Sequence, residues 1–286
     1  MLLSLGQTYI VLGNYYDLVG DSRRLSELAE LALDLSTKIN HPTYQMQALD
    51  KKGKIARRRG EHHESIRYHR EAQKLARLNG RVPEECDNLA AEADTWCALG
   101  NFPEAQARAL EGHELLIKSG FEGSDRELRI LDAKLDIHWQ KTEYTEARQL
   151  TELMIQMTSR HRSPYFHTNS LNNLVQLDII TGVHDGVTLR NLAAARERAA
   201  ELPFQKVTME CDVSQAELDL RDGDRTKAYT TLKILGGKTE LPYDAVYRSL
   251  ENLGDLSNNL CGLEKTFHWA TTYFAFSRKK NHLGHI

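Results

Sequence analysis

The stretch 89–112 distributes its small, apolar and polar residues with the spacing of two short helices. Leu89, Ala93 and Trp96 recur at intervals of four and three, which places them on one face of a helix. Gly100 can adopt the positive φ that ends a helix, so it marks a turn. The stretch is therefore predicted to begin with a helix that has one apolar face.

A second helix is predicted after this turn, with Pro103 close to its start. Ala105, Ala109 and Gly112 again recur at intervals of four and three, so the inner face of this helix is almost bare of side chain. Because small residues let a neighbouring helix approach closely, we predict that the two helices pack antiparallel. The stretch 89–112 is thus one helix-turn-helix unit.

The same pattern recurs along the chain at a nearly constant interval. A reference residue, usually small, is followed about seven positions later by a turn and then by a small residue in a second helix. The reference residues are Gly13, Gly53, Ala93, Leu135, Val175, Ala216 and Gly254, which gives steps of 40, 40, 42, 40, 41 and 38 residues. Because a fixed period in this range is typical of solenoids, we predict an all-α, right-handed superhelical solenoid of about seven antiparallel helix pairs.

We predict that these units form one array over residues 1–286. The approximate bounds of the units are 1–40, 43–80, 84–120, 124–162, 164–202, 203–237 and 243–286. The fourth unit has Thr142 at the position where the best-matching units have a turn glycine, but it keeps the small residue Ala147 in its second helix.

Five segments resemble the tetratricopeptide repeat family: LGNYYDLVGD, KKGKIARRRGEHHES, ADTWCALGNFPEA, HWQKTEYTEA and AELDLRDGDRTKA. The resemblance covers essentially the whole chain. The period of about 40 exceeds the usual period of about 34 residues and is similar to the long arrays of kinesin light chains and fungal NACHT-type NTPases. HEAT and armadillo repeats have similar periods and are the structural alternative. The sixth unit departs furthest, because Asp212 occupies the Trp-type position of its first helix.

The charge and cysteine content exclude several classes of function. A net charge of −3 and a sequence pI near 6.5 provide no basic field for nucleic acid, and no stretch is apolar enough to span a membrane. Cys86, Cys97, Cys211 and Cys261 lack the spacing of a zinc site or a disulfide framework, so we expect reduced, partly buried thiols. We predict a cytoplasmic protein that binds neither nucleic acid nor membrane.

A run of basic residues occupies positions 51–59, where six of nine residues are Lys or Arg. Such a run is consistent with a nuclear-import signal or a phosphate-binding face. The alternative, which we favour, is a solvated helix face, because helical spacing spreads the six side chains around the axis.

No group of residues has the spacing of a catalytic centre. The stretch 236–239 is similar to the end of a phosphate-binding loop, but the first glycine of that motif is missing. Acidic pairs such as Asp132 and Asp136 have helical spacing, which is more typical of a charged surface than of a general acid and base. We predict no enzymatic activity, no cofactor and no metal site.

In the family that the sequence resembles, the first helices of successive units line a concave groove that holds a peptide or a partner helix. Four positions per first helix fall in the arc that would face this groove, and they carry more acids than bases. We therefore predict an acidic groove, although some exposed face of a soluble helix must be polar in any case. The predicted groove residues are Asp17, Asp50, Lys54, Asp87, Asp94, Arg129, Asp132, Asp136, Trp139, Glu210, Glu217, Arg248, Glu251 and Asp255.

The leading functional prediction is a non-enzymatic protein-interaction scaffold that prefers basic or amphipathic peptides. By analogy with the resembled arrays, it is expected to be part of, or derived from, a larger signalling NTPase. The alternative is a regulatory module that senses a small ligand or a signal peptide. A hydrophobic pocket around Cys97, Trp139 and Ile179 would favour this alternative.

The last predicted helix is rich in aromatic residues, with Phe267, Trp269, Tyr273, Phe274 and Phe276 in ten positions. At 3.6 residues per turn these side chains cannot all face the preceding unit. The terminal unit of a solenoid normally has a polar outer surface. We therefore expect a neighbour that covers this helix, and self-association is one way to provide it.

Overall fold

The computed structural model describes residues 2–19, 21–161, 163–202 and 205–236, which form twelve α-helices and contain no β-strand. The helices are α1 (Leu2–Val19), α2 (Ser22–Lys38), α3 (Pro42–Arg58), α4 (His62–Leu78), α5 (Val82–Ala98), α6 (Phe102–Lys118), α7 (Asp125–Gln140), α8 (Tyr144–His161), α9 (Pro164–Thr181), α10 (Gly186–Glu201), α11 (Gln205–Arg221) and α12 (Arg225–Gly236). The predicted all-α class is confirmed. Each of the first six predicted units contains one helix pair, while the seventh lies outside the described residues.

The chain divides into two compact units, one ending at Ser163 and the other beginning at Pro164. In the first unit each helix from α1 to α8 packs against the next one, and the first helices of adjacent pairs also contact each other. In the second unit α9 to α12 follow the same rule, with α9 in contact with α11. Packing between nearest neighbours only is the organisation of a helical repeat protein. That the two units continue as one array stays a prediction.

Small side chains let the two helices of a pair approach closely, as the sequence pattern predicts. Ala93, Ala105 and Ala109 are almost completely buried and belong to one cluster at the contact of α5 with α6. A Cβ atom at Gly112 would lie only 3.3 Å from the Cβ of Leu89. The small residues therefore set the spacing between the helices of this pair.

The turn inside a pair requires one residue in the left-handed region. Gly100 has φ 73°, and the next amide, of Asn101, donates back to the carbonyl of Trp96 over 3.0 Å. After α7 the same turn forms without glycine, since Thr142 has φ 59°. There the amide of Glu143 donates to the carbonyl of His138 over 2.9 Å. The fourth unit thus keeps the turn at the expense of a strained β-branched residue.

Replacing Thr142 with glycine should stabilise the protein by roughly 0.5–1 kcal/mol, because relief of left-handed strain exceeds the added backbone entropy of the unfolded chain. The reverse change, Gly100→Thr, should destabilise it by about 1–2 kcal/mol. Urea unfolding of both variants measures the two effects. A Thr142→Gly variant that is less stable than the wild type would contradict this account of the turn.

The contact between α3 and α4 leaves no room for a side chain at Gly53. A Cβ atom there would lie 2.5 Å from Nε2 of His69, whose ring is completely buried. The ring cannot simply move away, because Nδ1 is hydrogen-bonded to Oδ1 of Asn88 at 3.1 Å. Gly53 is therefore required for the position of His69.

Gly53→Ala should destabilise the protein by about 1–3 kcal/mol through overpacking. In a His69→Ala background the same substitution should have a much smaller effect, because the atoms that the new methyl group would overlap are gone. A double-mutant cycle from thermal or urea unfolding measures the difference. An equal loss of stability in both backgrounds would show that His69 is not the obstacle.

Candidate functional site

The first helices of the first unit carry charged side chains that lie near one another, and most of them are joined by ion pairs. These residues, which we call the charged face, are Asp17, Asp50, Lys54, Arg57, Arg58, Asp87, Asp94, Arg126, Arg129, Asp132 and Asp136. They come from α1, α3, α5 and α7. The structure therefore brings eight of the predicted groove residues together on one set of helices.

Two ion pairs join helices that are one repeat apart. Arg58 of α3 donates to Asp17 of α1, and the two residues are 41 positions apart in the sequence. Arg126 of α7 donates to Asp87 of α5 across 39 positions. Because the repeat period is close to 40, a base in one unit meets an acid in the preceding unit. Adjacent repeats are thus connected by charge.

Asp94 is the most enclosed acid of the charged face, with a side chain that is 4% exposed. Its Oδ2 atom accepts from Arg129 of α7 and lies 3.5 Å from Nη1 of Arg57 of α3. Burial alone would raise the pKa of Asp94, but the two guanidinium groups outweigh it and hold the pKa below the ordinary value. Oδ1 is buried and accepts no hydrogen bond from the residues that the structure describes.

A second group of charges lies at the contact of α3 with α4. Lys54 is 2.8 Å from Asp50, and Nδ1 of His69 lies 4.0 Å from the same carboxylate. Burial would raise the pKa of Asp50, but the charges of Lys54 and Lys51 oppose it, and the pKa of Asp50 lies well below its usual range. Burial is also the main reason why the pKa of His69 is lowered, and Asp50 opposes that change. The imidazole is therefore neutral at physiological pH.

Asp136 is the acid of the charged face whose negative charge is least compensated by nearby bases. It is exposed to solvent and forms no ion pair or hydrogen bond with any residue in the described part of the chain. Loss of hydration beside the packed helices and the charges of Asp132 and Asp94 raise the pKa of Asp136. Because the residue is exposed, water weakens the first cause, whereas the charges of the two neighbouring carboxylates act in the same direction. When Asp136 is ionised, its negative charge is therefore the least balanced of the charged face.

The favoured interpretation of the basic run at 51–59, a solvated helix face, does not hold for most of its members, because only Arg59 among them is exposed. The import-signal and phosphate-binding interpretations stay predictions. Lys51 is buried and donates to Asn14, and Lys52 donates to Glu30. The remaining members, Lys54, Arg57, Arg58 and Arg59, contact Asp50, Asp94, Asp17 and Ser26. All six basic side chains are thus used in contacts within the protein.

The remaining predicted groove residues are not part of this network. Trp139 is half-buried and packs edge-on against Tyr144 of its own helix pair, with 6.4 Å between the ring centroids. Glu210 is buried and Glu217 half-buried on α11, in the second unit. Their role in a groove stays a prediction. The three others, Arg248, Glu251 and Asp255, lie outside the described residues.

The hydrophobic pocket that would favour ligand sensing also stays a prediction. Cys97 is buried and Trp139 half-buried in the first unit, whereas Ile179 is buried in the second. The aromatic residues at 267–276 lie outside the described residues, so the predicted self-association is untested as well.

Three arginines of the charged face were not among the predicted groove residues. Arg57 lies at one of the four helical positions that were taken to face the groove, whereas Arg58 and Arg126 lie outside them. A usable signal was nevertheless present, because each is about one repeat away from an acid, Asp17 or Asp87, in the preceding first helix. Comparing charges across one period would have found both.

The cysteines of the described residues are inert. Cys86, Cys97 and Cys211 are free and buried, and burial together with nearby acids raises the pKa of each thiol to about 12. That these three thiols are reduced stays a prediction. Over the described residues no His, Cys, Asp or Glu cluster could hold a metal ion, and no helix is long and apolar enough to cross a membrane.

No family model and no curated protein sequence matches this chain. Solved structures do match it. The Rap conjugation gene regulator of plasmid pLS20, solved in complex with the Phr* peptide, has a TM-score of 0.79 at 13% identity over 99% of this chain and 76% of its own. A Rap protein complexed with competence and sporulation factor has a TM-score of 0.76 at 14% identity over 96% of this chain and 75% of its own.

A third similar structure is a signal-transduction ATPase with numerous domains from Pyrococcus horikoshii, which has a tetratricopeptide repeat sensor. Its TM-score is 0.59 at 14% identity, and the match covers 96% of this chain but 44% of that one. Identities this low establish the fold alone. The chain has a tetratricopeptide-like helical-repeat fold, and the predicted resemblance is confirmed at that level.

Asp94 and Asp136 should respond in opposite ways to loss of their charge. Asp94→Asn leaves Arg129 and Arg57 without their acid and should destabilise the protein by about 2 kcal/mol, less than for a fully buried pair because both arginines are partly exposed. Asp136→Asn removes repulsion and should leave stability at neutral pH equal or higher. Urea unfolding at pH 7 compares the two, and a destabilised Asp136→Asn variant would contradict the assignment.

The advantage of Asp136→Asn should depend on pH. The pKa of Asp136 is raised in the folded state. The free energy of unfolding of the wild type should therefore fall as the pH rises above the ordinary aspartate pKa of about 4. The melting temperature of the variant relative to the wild type should therefore increase from about pH 5 to about pH 8. A constant difference over that range would show that the carboxylate is not perturbed.

Proposed function

We propose that this protein is a non-enzymatic repeat protein that binds a basic or amphipathic peptide on the charged face of its first helices. The observation that carries the proposal is that both Rap structures of similar fold were solved with a bound signalling factor, in one case named as a peptide. Peptide binding is a property of those two proteins. For this chain, peptide binding is supported by a helical face whose charges are not all paired within the protein.

The residual charge of that face favours a basic partner. Most acids of the face form an ion pair with an arginine or lysine, whereas Asp136 forms none with a described residue and is repelled by the carboxylates of Asp132 and Asp94. A Lys or Arg side chain, or the amino terminus of a peptide, would reduce the repulsion between these carboxylates. Long-range attraction between opposite charges also speeds association. The preference for a basic peptide thus follows from the least balanced part of the face.

The alternative is a sensory role, in which a ligand changes the arrangement of the repeats. The inter-repeat pairs of Asp17 with Arg58 and Asp87 with Arg126 favour it, because they join first helices of neighbouring units. A ligand that exchanged with such a pair would alter the contact between repeats. It could do so only as far as it binds the two arrangements with different affinity.

Association with a larger signalling NTPase is a separate proposal. It is supported by the similarity of this chain to an array that serves as the sensor of a multidomain ATPase. Determining the mass of the natural gene product by immunoblotting tests it. A product of about 33 kDa, the size of this chain alone, would contradict a covalent NTPase partner.

Peptide binding can be tested with a fluorescent amphipathic helical peptide rich in lysine and a matched peptide in which every lysine is glutamate. The basic peptide should bind more tightly, and its affinity should fall between about 50 and about 300 mM NaCl because salt screens exposed charges. Asp132→Lys/Asp136→Lys should weaken binding by about fivefold or more. Fluorescence anisotropy gives the dissociation constants.

The matched control is Glu146→Lys/Glu152→Lys, which makes the same charge change on exposed positions of α8 in the same helix pair. Its affinity should stay within about twofold of the wild type, since net charge changes equally but the charged face does not. Asp94 is left unchanged in this experiment because it holds the helices together. Equal weakening of binding by both double variants would mean that the charged face is not the binding site. An affinity that depends neither on salt nor on either charge change would mean the same.

A further inference from the structure

A basic pocket lies between the second helices α4 and α6, next to α5. It has a volume of about 430 Å³ and is open to solvent. Four cations line it, Arg70, Lys74, Arg77 and Arg108, together with one acid, Glu92. The peptide-binding proposal does not use any of these residues.

Glu92 cannot balance all of these cations. Its carboxylate is buried, and Oε1 accepts from Nε of Arg70 at 2.9 Å and from the indole of Trp96 at 3.1 Å. Oε2 accepts from the side-chain amide of Gln73 at 2.8 Å. Both oxygens of Glu92 therefore already accept hydrogen bonds from other side chains of the protein.

Two further acids take up part of the remaining charge. Arg77 donates to Glu85 and, over 2.7 Å, to Glu111. Arg108 donates through Nη1 to the other oxygen of Glu111. Arg77 is thus fully engaged in holding α4 to α5 and α6, whereas Arg108 is engaged at one edge only.

The donors that remain have no acceptor among the described residues. Nε of Arg108 is buried and lacks any hydrogen-bond partner. Lys74 forms no hydrogen bond or ion pair within the described part of the chain, and the only bond of Arg70 there is the one from Nε to Glu92. Buried N–H groups are nearly always satisfied, so the buried Nε of Arg108 is available to water or to an acceptor from a bound molecule. The pocket therefore has more hydrogen-bond donors than acceptors, and the unpaired donors are positively charged.

We propose that the basic pocket binds the oxyanionic group, phosphate or carboxylate, of a small molecule. Arg108, Lys74 and Arg70 would donate to it. Guanidinium groups form strong, charge-assisted hydrogen bonds to both kinds of oxyanion. The volume lies within the range of small-molecule sites, so the rest of such a ligand can be accommodated.

Trp96 provides a reporter for this pocket, because its indole is bonded to Glu92 and its ring lies 5.9 Å from the guanidinium carbon of Arg70. The chain has three tryptophans, so Trp139→Phe/Trp269→Phe leaves Trp96 alone. Its emission is titrated with inorganic phosphate and, separately, with acetate, with NaCl keeping the ionic strength constant. A saturable change with phosphate alone assigns a phosphate group, and one with acetate as well assigns carboxylates too. Either result supports the proposal.

The same titrations in Lys74→Gln/Arg108→Gln should require at least about fivefold more anion for half-saturation, since two of three charge-assisted donors are lost. The matched control Arg23→Gln/Lys118→Gln neutralises two exposed cations outside the pocket and should leave the curve unchanged. Equilibrium dialysis of radiolabelled phosphate against the chain with all its tryptophans repeats the comparison without altering Trp139 or Trp269. Absence of saturable binding, or equal loss in both double variants, would overturn the proposal while leaving peptide binding on the charged face untouched.

Discussion

Ion pairs between the acids of α5 and the arginines of the helices around it are the interaction on which the first unit depends. Glu85 and Glu92 are paired with α4, Asp87 with α7, and Asp94 with both α3 and α7. Glu85, Glu92 and Asp94 are less than a tenth exposed. Removing one partner of a buried pair leaves an uncompensated charge, which is far more unfavourable than losing the attraction alone. Three neighbours of α5, namely α3, α4 and α7, are therefore constrained by its charges, while α6 packs against its small residues.

The same network limits what the charged face can offer a ligand. An acid that is already held by two arginines, such as Asp94, contributes little net charge, so the number of acids in a predicted groove overstates its negative potential. A partner would meet the remaining negative charge, which is least balanced at Asp136 on α7. A cation that reaches Asp136 would also act on Arg129, which forms ion pairs with Asp132 and with Asp94 of α5. The same charged side chains would therefore take part both in binding a partner and in the contact between repeats.

The helix pairs were predictable from the sequence because small residues and turns recur with the period of the fold. This held even at Thr142, where the residue type was unfavourable but the spacing required the turn. The charged face was predictable only in part. Helical position identifies the side of a helix on which Asp94 lies, but whether it meets Arg57 and Arg129 depends on the rotation of two other helices. Arg126 was missed for that reason, although its distance of one period from Asp87 carried the information.

Small residues and charged residues contribute to the packing in different ways. Contacts of small residues, such as that of Ala93 with the second helix of its pair, recur in several repeats, so they specify that helices pack but not which helix packs on which. Buried ion pairs add little stability over apolar residues of similar size, yet they strongly disfavour arrangements in which a charge is unpaired. Each pair around α5 has its own position and partner, so sliding α7 along α5 would separate both Asp87 from Arg126 and Asp94 from Arg129. In a chain of near-identical helix pairs, it is the charges that make one order and one register of packing better than the others.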